Sequence, residues 1–250
     1  MDLNNPDIRQ ALLRDRLGEG LVLVATDLAD EFGVSADTIR RDLIGLERAG
    51  VAARVRGGAV PVSPPARPLR ERRQDGAIPS ELARRAAEQL QGASTLLLDG
   101  GTTVLAVAAR LRPRAGLLVI TPSPFVAALT HGNGIETVVL GGPLSERGGI
   151  AVGPRAEAEV ADVAADIALV GVCGLEADFG LGSDDLLEST LVRAMSRAAT
   201  RTIAVTGHEK IGRRARYRTL PPEEIDMIVT DAAQPDTAPF RAKEIEVINV

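Results

Sequence analysis

The chain has no tryptophan and only four phenylalanines and one tyrosine among its 250 residues, so aromatics make up 2% of it. Its cores must be built from Leu, Val, Ile and Ala, and the aromatic platforms on which single-stranded nucleic acid stacks are not expected. The one cysteine, Cys173, excludes an internal disulfide and reads as a small buried apolar residue. No cationic, apolar leader follows Met1, and no apolar run approaches the length that crosses a bilayer. Cytoplasm is therefore the expected compartment, with no membrane partner. HxxxH, CxxC and carboxylate-rich metal spacings are absent, His131 and His208 stand isolated, and there is no G-x-G-x-x-G fingerprint, so neither a metal nor a cofactor is expected. A net charge of −5 argues against a protein that coats nucleic acid indiscriminately.

What is present is a globular composition, 45% hydrophobic and 25% charged, long enough for two domains. Prolines at 61, 64, 65, 68 and 79 mark a partly extended connector and divide the chain into a small unit (1–60), a Pro/Arg-rich linker (61–79) and a larger unit (80–250). In the first unit, Ile8, Leu12, Leu13 and Leu17 have helical spacing, and "LVLV" (21–24) reads as a short strand. Thr26 is the expected cap of the next helix, Gly33 the turn, and Ser35 the cap of a third helix with Ile39, Leu43 and Leu46 on one stripe. Arg41 falls almost opposite Ile39, with Thr38 and Arg40 on the flanks. Arg54 and Arg56 then share one side of a strand that turns at Gly57-Gly58. A helix that enters a major groove needs its core stripe on one face and donors on the other, and a glycine-tipped wing can bring cations to phosphates. Ser35, Thr38, Arg40, Arg41, Arg54, Arg56, Gly57 and Gly58 are thus the candidate contacts to double-stranded operator DNA. The competing reading of Arg41 is an ordinary surface pair with Asp37, four residues earlier.

In the larger unit, short apolar segments alternate with helical ones, which implies a mostly parallel sheet covered on both faces, with ligands at the carboxyl ends of the strands. The segment 95–98 ends in "DGGTT" (99–103), whose amides and hydroxyls at the start of a helix suit an anion. Asp99, Gly100, Gly101, Thr102, Thr103, Thr121, Gly141, Gly142, Gly174 and Lys210 are the candidates to ring one cleft. An acid beside such a nest suits a ligand with hydroxyls and a phosphate.

The stretch "LADEFGVSADTIRRDLIGLERAGVAARVRGGAV" resembles the winged helix-turn-helix of the DeoR family of bacterial transcriptional regulators, with Arg56 where the family usually has His. "LLLDGGTT", "VVLGG", "AVGP", "GLEADFGLG" and "EKIG…IDMIVTD" are similar to that family's sensor domain, so the resemblance covers nearly the whole chain. It implies a second domain of ribose-5-phosphate isomerase-like, Rossmann-like fold that binds a phosphorylated sugar or its metabolite, with Asp99, Gly101, Thr102, Thr103 and Lys210 lining the pocket. The chain departs from the family pattern at Gly100 (for Ser), Pro122 (for Asn), Gly182 (for Thr), Val192 (for Lys) and Gly207 (for Asp).

The resulting expectation is a repressor of a carbohydrate-related operon that acts as a homodimer or homotetramer on paired half-sites and is controlled by a small effector. It is not expected to be an enzyme. Two alternatives stay open: an isomerase-like enzyme using Asp99 and Lys210, and a constitutive DNA binder whose pocket has decayed.

Overall fold

A computed structural model describes residues 3–62, 67–72 and 78–250. The first unit runs α1 (Pro6–Gly18), β1 (Leu23–Val24), α2 (Ala25–Phe32), α3 (Ala36–Arg48), β2 (Ala52–Val55) and β3 (Gly58–Pro61). Its three strands form an antiparallel sheet in the order β1-β3-β2. Ile39, Leu43 and Leu46 of α3 are buried with Leu13, Leu17, Leu28 and Phe32, each such side chain contributing roughly 1.5–3 kcal/mol. Ser35 caps α3 as expected, its hydroxyl accepting from the Thr38 amide at 3.1 Å. Gly33 takes the left-handed turn before it, at φ 66°.

Two local expectations fail, for one reason. The strand at 21–24 shrinks to Leu23–Val24, and α2 begins at Ala25 rather than behind a Thr26 cap. Leu23 and Val24 pair with Ala59 and Gly58, and the Ala25 amide donates to the Gly57 carbonyl at 2.8 Å. The wing therefore supplies what a side-chain cap would otherwise provide. Gly58 is required here, because a Cβ would lie 1.8 Å from the Leu23 carbonyl oxygen.

The wing's second strand ends at Pro61, and Val62 continues into a bridge with Arg214. Of the proline-rich connector, residues 63–66 and 73–77, including Pro64, Pro65 and Arg73, lie outside the described residues. The short helix α4 (Leu69–Arg72) follows, with Leu69 buried.

The second unit continues through α5 (Ser80–Glu88), β4 (Thr95–Leu98), α6 (Gly101–Ala108), β5 (Leu118–Thr121), α7 (Pro124–Gly132), β6 (Glu136–Val139), α8 (Pro154–Ala161) and β7 (Ala165–Gly171). It then runs through β8 (Gly174–Glu176), β9 (Gly180–Ser183), α9 (Leu186–Arg197), β10 (Ala199–Thr206), β11 (Tyr217–Leu220), β12 (Met227–Thr230), α10 (Gln234–Arg241) and β13 (Glu246–Asn249). Seven of these strands form one sheet, ordered β13-β12-β10-β7-β4-β5-β6, in which every pair is parallel.

Alternation along each strand feeds two cores. Leu96, Leu98, Ile167, Leu169, Ile203 and Val205 pack on one face with α5 and α6. Leu97, Ala168, Val170, Ala204 and Ile228 pack on the other with α8 and α9. A strand buried on both sides has no polar positions to alternate, which is why these segments read as continuous apolar runs.

The chain steps outward from β4 to β5 and β6, then returns to place β7 on the other side of β4 before continuing to β10, β12 and β13. The direction of growth thus reverses between β4 and β7. Loops leaving the carboxyl ends of those two strands part in opposite directions and leave a crevice. A second, antiparallel sheet of order β11-β9-β8 lies among these loops, and the sequence reading did not anticipate it. Its strands are only three or four residues long and carry Gly174, Gly180 and Gly182, so no hydrophobic period betrays them.

Candidate nucleic-acid interface and effector cleft

On α3, Arg40 and Arg41 are exposed while Ile39 between turn and core is fully buried. Arg41 pairs with Asp37 at 2.7 Å, with 78% of its side chain open to solvent. Such a pair is weak enough to be given up to a base. Ser35 and Thr38 share a hydroxyl contact of 2.8 Å at the start of the helix. Across from them, Gly57 turns the wing at φ 88° with Arg56 exposed beside it. Among the described residues, Arg40 and Arg56 have no ion-pair partner. Arg54 does have one: its Nε lies 2.7 Å from Glu47 Oε2, and that contact holds the Glu47 carboxyl below its ordinary range. Gly58 is buried under β1 and offers no surface. The reading helix is also tied from behind, where Arg9 of α1 meets Asp42 at 2.5 Å, both side chains almost wholly buried.

The crevice at the β4 and β7 ends encloses about 560 Å³ of empty space, its open mouth included. Asp99, at the end of β4, is buried and accepts the Gly171 amide at 3.1 Å from the end of β7. Gly100 to Thr103 open α6 beside it. Opposite, Glu188 in the first turn of α9 is buried, and its Oε1 accepts from Ser145 Oγ at 2.5 Å and the Gly148 amide at 2.6 Å. Gly182 and Ser183 of β9 and Thr219 of β11 close the far wall, with Ile150 and Val192 as apolar lining. Lys210, one of two lysines in the chain, reaches the cleft from a one-turn 3-10 helix after β10, its Nζ 3.8 Å from Glu209. Cys173 also lines the cleft, half-buried where the sequence suggested full burial, and that burial pushes its thiol pKa up.

A family described as the DeoR C terminal sensor domain matches residues 79–232, and the DeoR-like helix-turn-helix domain matches residues 9–64. The chain belongs to the DeoR family. It is thus a DNA-binding transcriptional regulator with a sensor domain, not an enzyme, and the isomerase alternative falls away. Similar proteins include the glycerol-3-phosphate regulon repressor of Escherichia coli, 32% identical over 84% of each chain. The transcriptional repressor AccR of Agrobacterium fabrum is 31% identical over 93% of this chain and 92% of its own. Among solved structures, ribose 5-phosphate isomerase A of Methanocaldococcus jannaschii is 16% identical over 52% of each chain with a TM-score of 0.38. No helix among the described residues is long and apolar enough to cross a membrane.

Of the ten cleft candidates in this DeoR-family chain, Asp99, Gly100, Gly101, Thr102, Thr103 and Lys210 come together. The other four do not line the cleft. Thr121 is fully buried with its hydroxyl turned onto the Ser123 amide, Gly141 donates to Glu159, Gly142 packs against Val152, and Gly174 is buried in β8 opposite Gly182. The ends of β5 and β6 lie to the side of the reversal point, so the residues directly after them stay outside the cleft, and the segment after β6 reaches it only further on, at Gly148 and Ile150. The residues missed include Glu188, Ser183, Gly148, Ile150 and Thr219. Glu188 carried a signal, since it opens the segment that departs from the family at Val192.

Three of the departures have a steric account. A Cβ on Gly100 would lie 2.2 Å from the Ile150 Cγ2, so an isoleucine methyl fills the space of the usual serine. A Cβ on Gly207 would lie 2.1 Å from Glu209 Oε2, so a carboxylate returns to that place from two residues further on. A Cβ on Gly182 would lie 2.8 Å from that of Ala215. Nor is His208 isolated: its amide donates to Asp231 Oδ1 at 2.5 Å, and ligand atoms of His208, Glu209 and Asp231 lie within 4.8 Å of one another at the exposed ends of β10 and β12.

Proposed function

We propose that this chain represses a carbohydrate-related operon in the cytoplasm. Residues 1–60 form its reading unit, 61–79 its linker and 80–250 its sensor. Arg40 and Arg41 contact base edges and Arg54 and Arg56 contact phosphates, with Ser35 and Thr38 at the helix start and Gly57 and Gly58 shaping the wing. The observation that carries this is the two-sided α3: its apolar stripe is sealed in the core while adjacent arginines stand open beside a wing that carries two more. One such unit covers few base pairs, so a homodimer or homotetramer on paired half-sites supplies specificity.

The effector is a small phosphorylated sugar or related metabolite. Its phosphate meets the amides of Gly101, Thr102 and Thr103 at the α6 N-terminus together with Lys210, and its hydroxyls donate to Asp99 and Glu188. Binding shifts DNA affinity only by the difference in effector affinity between two arrangements of the oligomer. The test is to select duplexes from a random pool with the full chain, then challenge the complex with a panel of phosphorylated sugars. Selection of no consensus would sink the operator reading. A consensus that every phosphosugar leaves bound, with no thermal shift, would sink the effector reading.

A further inference from the structure

The loop between Lys210 and β11 touches both units at once. On the sensor side it is sewn to the small sheet that walls the cleft. The Gly212 amide donates to the Leu175 carbonyl at 2.8 Å, the Arg216 amide donates to Asp184 Oδ1 at 3.3 Å, and Tyr217 pairs with Ser183. Ala215 lies against the cleft-lining Gly182 so closely that a methyl there would collide with its backbone and side chain. On the other side, the two residues before Ala215 hold the reading unit. The Arg214 amide donates to the Pro61 carbonyl at 3.1 Å, at the end of the wing. The Arg213 guanidinium donates to the Gly18 carbonyl at 3.3 Å, at the carboxyl end of α1, where the helix dipole favours a cation.

The Arg214 side chain is itself fixed. It forms a 2.9 Å ion pair with Glu176 of β8, both groups mostly buried, and lies 5.1 Å from the centre of the Phe179 ring. This anchoring gives the backbone amide a set direction instead of a mobile one. The loop is therefore a short rigid piece with Gly182 at one end and the wing and α1 at the other.

We propose that Arg213 and Arg214 are positioning residues through which the wall of the cleft sets the placement of the DNA-binding unit. A shift of Gly182 or Ser183 moves Ala215, and with it the two donors that seat α1 and β3. The route is covalent for two residues and hydrogen-bonded at each end, so displacement at the cleft reaches the wing without crossing the proline-rich linker. The proposal rests on reading the cleft as the effector site, but its test does not use an effector.

The experiment is a double-mutant cycle in the full chain on the selected duplex. Gly182→Ala supplies the perturbation at the cleft wall, and Arg213→Ala with Arg214→Ala loosens the latch, removing the Arg213 donor and the Glu176 anchor that fixes the Arg214 amide. Gly182→Ala is expected to change duplex affinity by about 5-fold or more when the latch is intact. With the latch loosened, the same substitution is expected to change it by less than about twofold. Equal changes in both backgrounds, or none in either, would overturn the proposal, because a merely structural loop gives additive effects. A second readout covers the case in which Gly182→Ala fails to fold: amide exchange at 16–24 and 56–62 in the latch variant. Faster exchange there, with β4 and β7 still protected, is the expected result, and unchanged exchange at both segments overturns the proposal. A phosphosugar panel that binds nowhere leaves both readouts intact and counts only against the effector reading.

Discussion

Arg41→Ala separates reading of bases from attraction to phosphate. In the free protein the substitution removes only an exposed pair with Asp37, worth about 0.3–0.5 kcal/mol, so the thermal midpoint should barely move. On DNA, a guanidinium that reaches a base edge is worth about 1–3 kcal/mol of discrimination. Giving up Asp37 subtracts at most about 0.5 kcal/mol from that, so the base contact dominates. Dissociation constants for the selected duplex should therefore rise roughly 2- to 150-fold, while those for a scrambled duplex stay nearly constant. Fluorescence anisotropy with both duplexes at one fixed salt concentration is the assay. Equal weakening on both duplexes would show that Arg41 acts as a phosphate contact or not at all, and the reasoning from its position opposite Ile39 would be wrong.

Arg54→Ala should weaken binding to every duplex and reduce the salt slope by about one, whereas Glu47→Gln, which frees the same guanidinium, should strengthen it; slopes of log affinity against log salt would reveal either failure. Asp42→Ala leaves Arg9 charged and unpaired in the core and should cost about 3–5 kcal/mol in chemical denaturation; a loss under about 1 kcal/mol would mean that water or another group reaches Arg9. Lys210→Ala should spare duplex affinity but blunt release by whichever phosphosugar acts on the wild type, and unchanged release would remove Lys210 from the site. The amides of Thr95 and Ser94 hold the Asp166 carboxyl below its ordinary range. Its stabilisation is therefore complete above the unfolded value of about 3.9 and is lost as pH falls through the lower folded value. The gap in thermal midpoint between wild type and Asp166→Asn should close across that interval, and a gap independent of pH would count against the assignment.

The reading unit was legible because its signals are local. Ser35, Gly33 and the 3.6-residue stripe of Ile39, Leu43 and Leu46 each act within a turn or two of chain, and the structure keeps all of them. The parallel sheet was legible for a similar reason, since a strand buried on both faces is apolar throughout, whatever its neighbours. Asp99 and the α6 start followed from that reading once strand ends were taken as ligand positions. Thr26 was misread because the cap it would supply comes instead from Gly57, more than thirty residues away. Ser183 and Ile150 escaped because they reach the cleft from a four-residue strand and a loop with no period of their own, and Glu188 because the helical stripe of α9 does not say which cleft its first turn meets.

The amino-acid order alone therefore determined the long helices and the apolar strands of the parallel sheet, which face of α3 is core and which carries arginine, and which turn opens α6. Each of those depends on contacts between near neighbours along the chain. Only the tertiary structure decided that β7 returns beside β4, that Glu188 and Asp99 line one cleft, and that Arg213 and Arg214 meet α1 and the wing. Those choices join residues tens to nearly two hundred positions apart, and no local spacing records them, because they are settled by how whole layers pack.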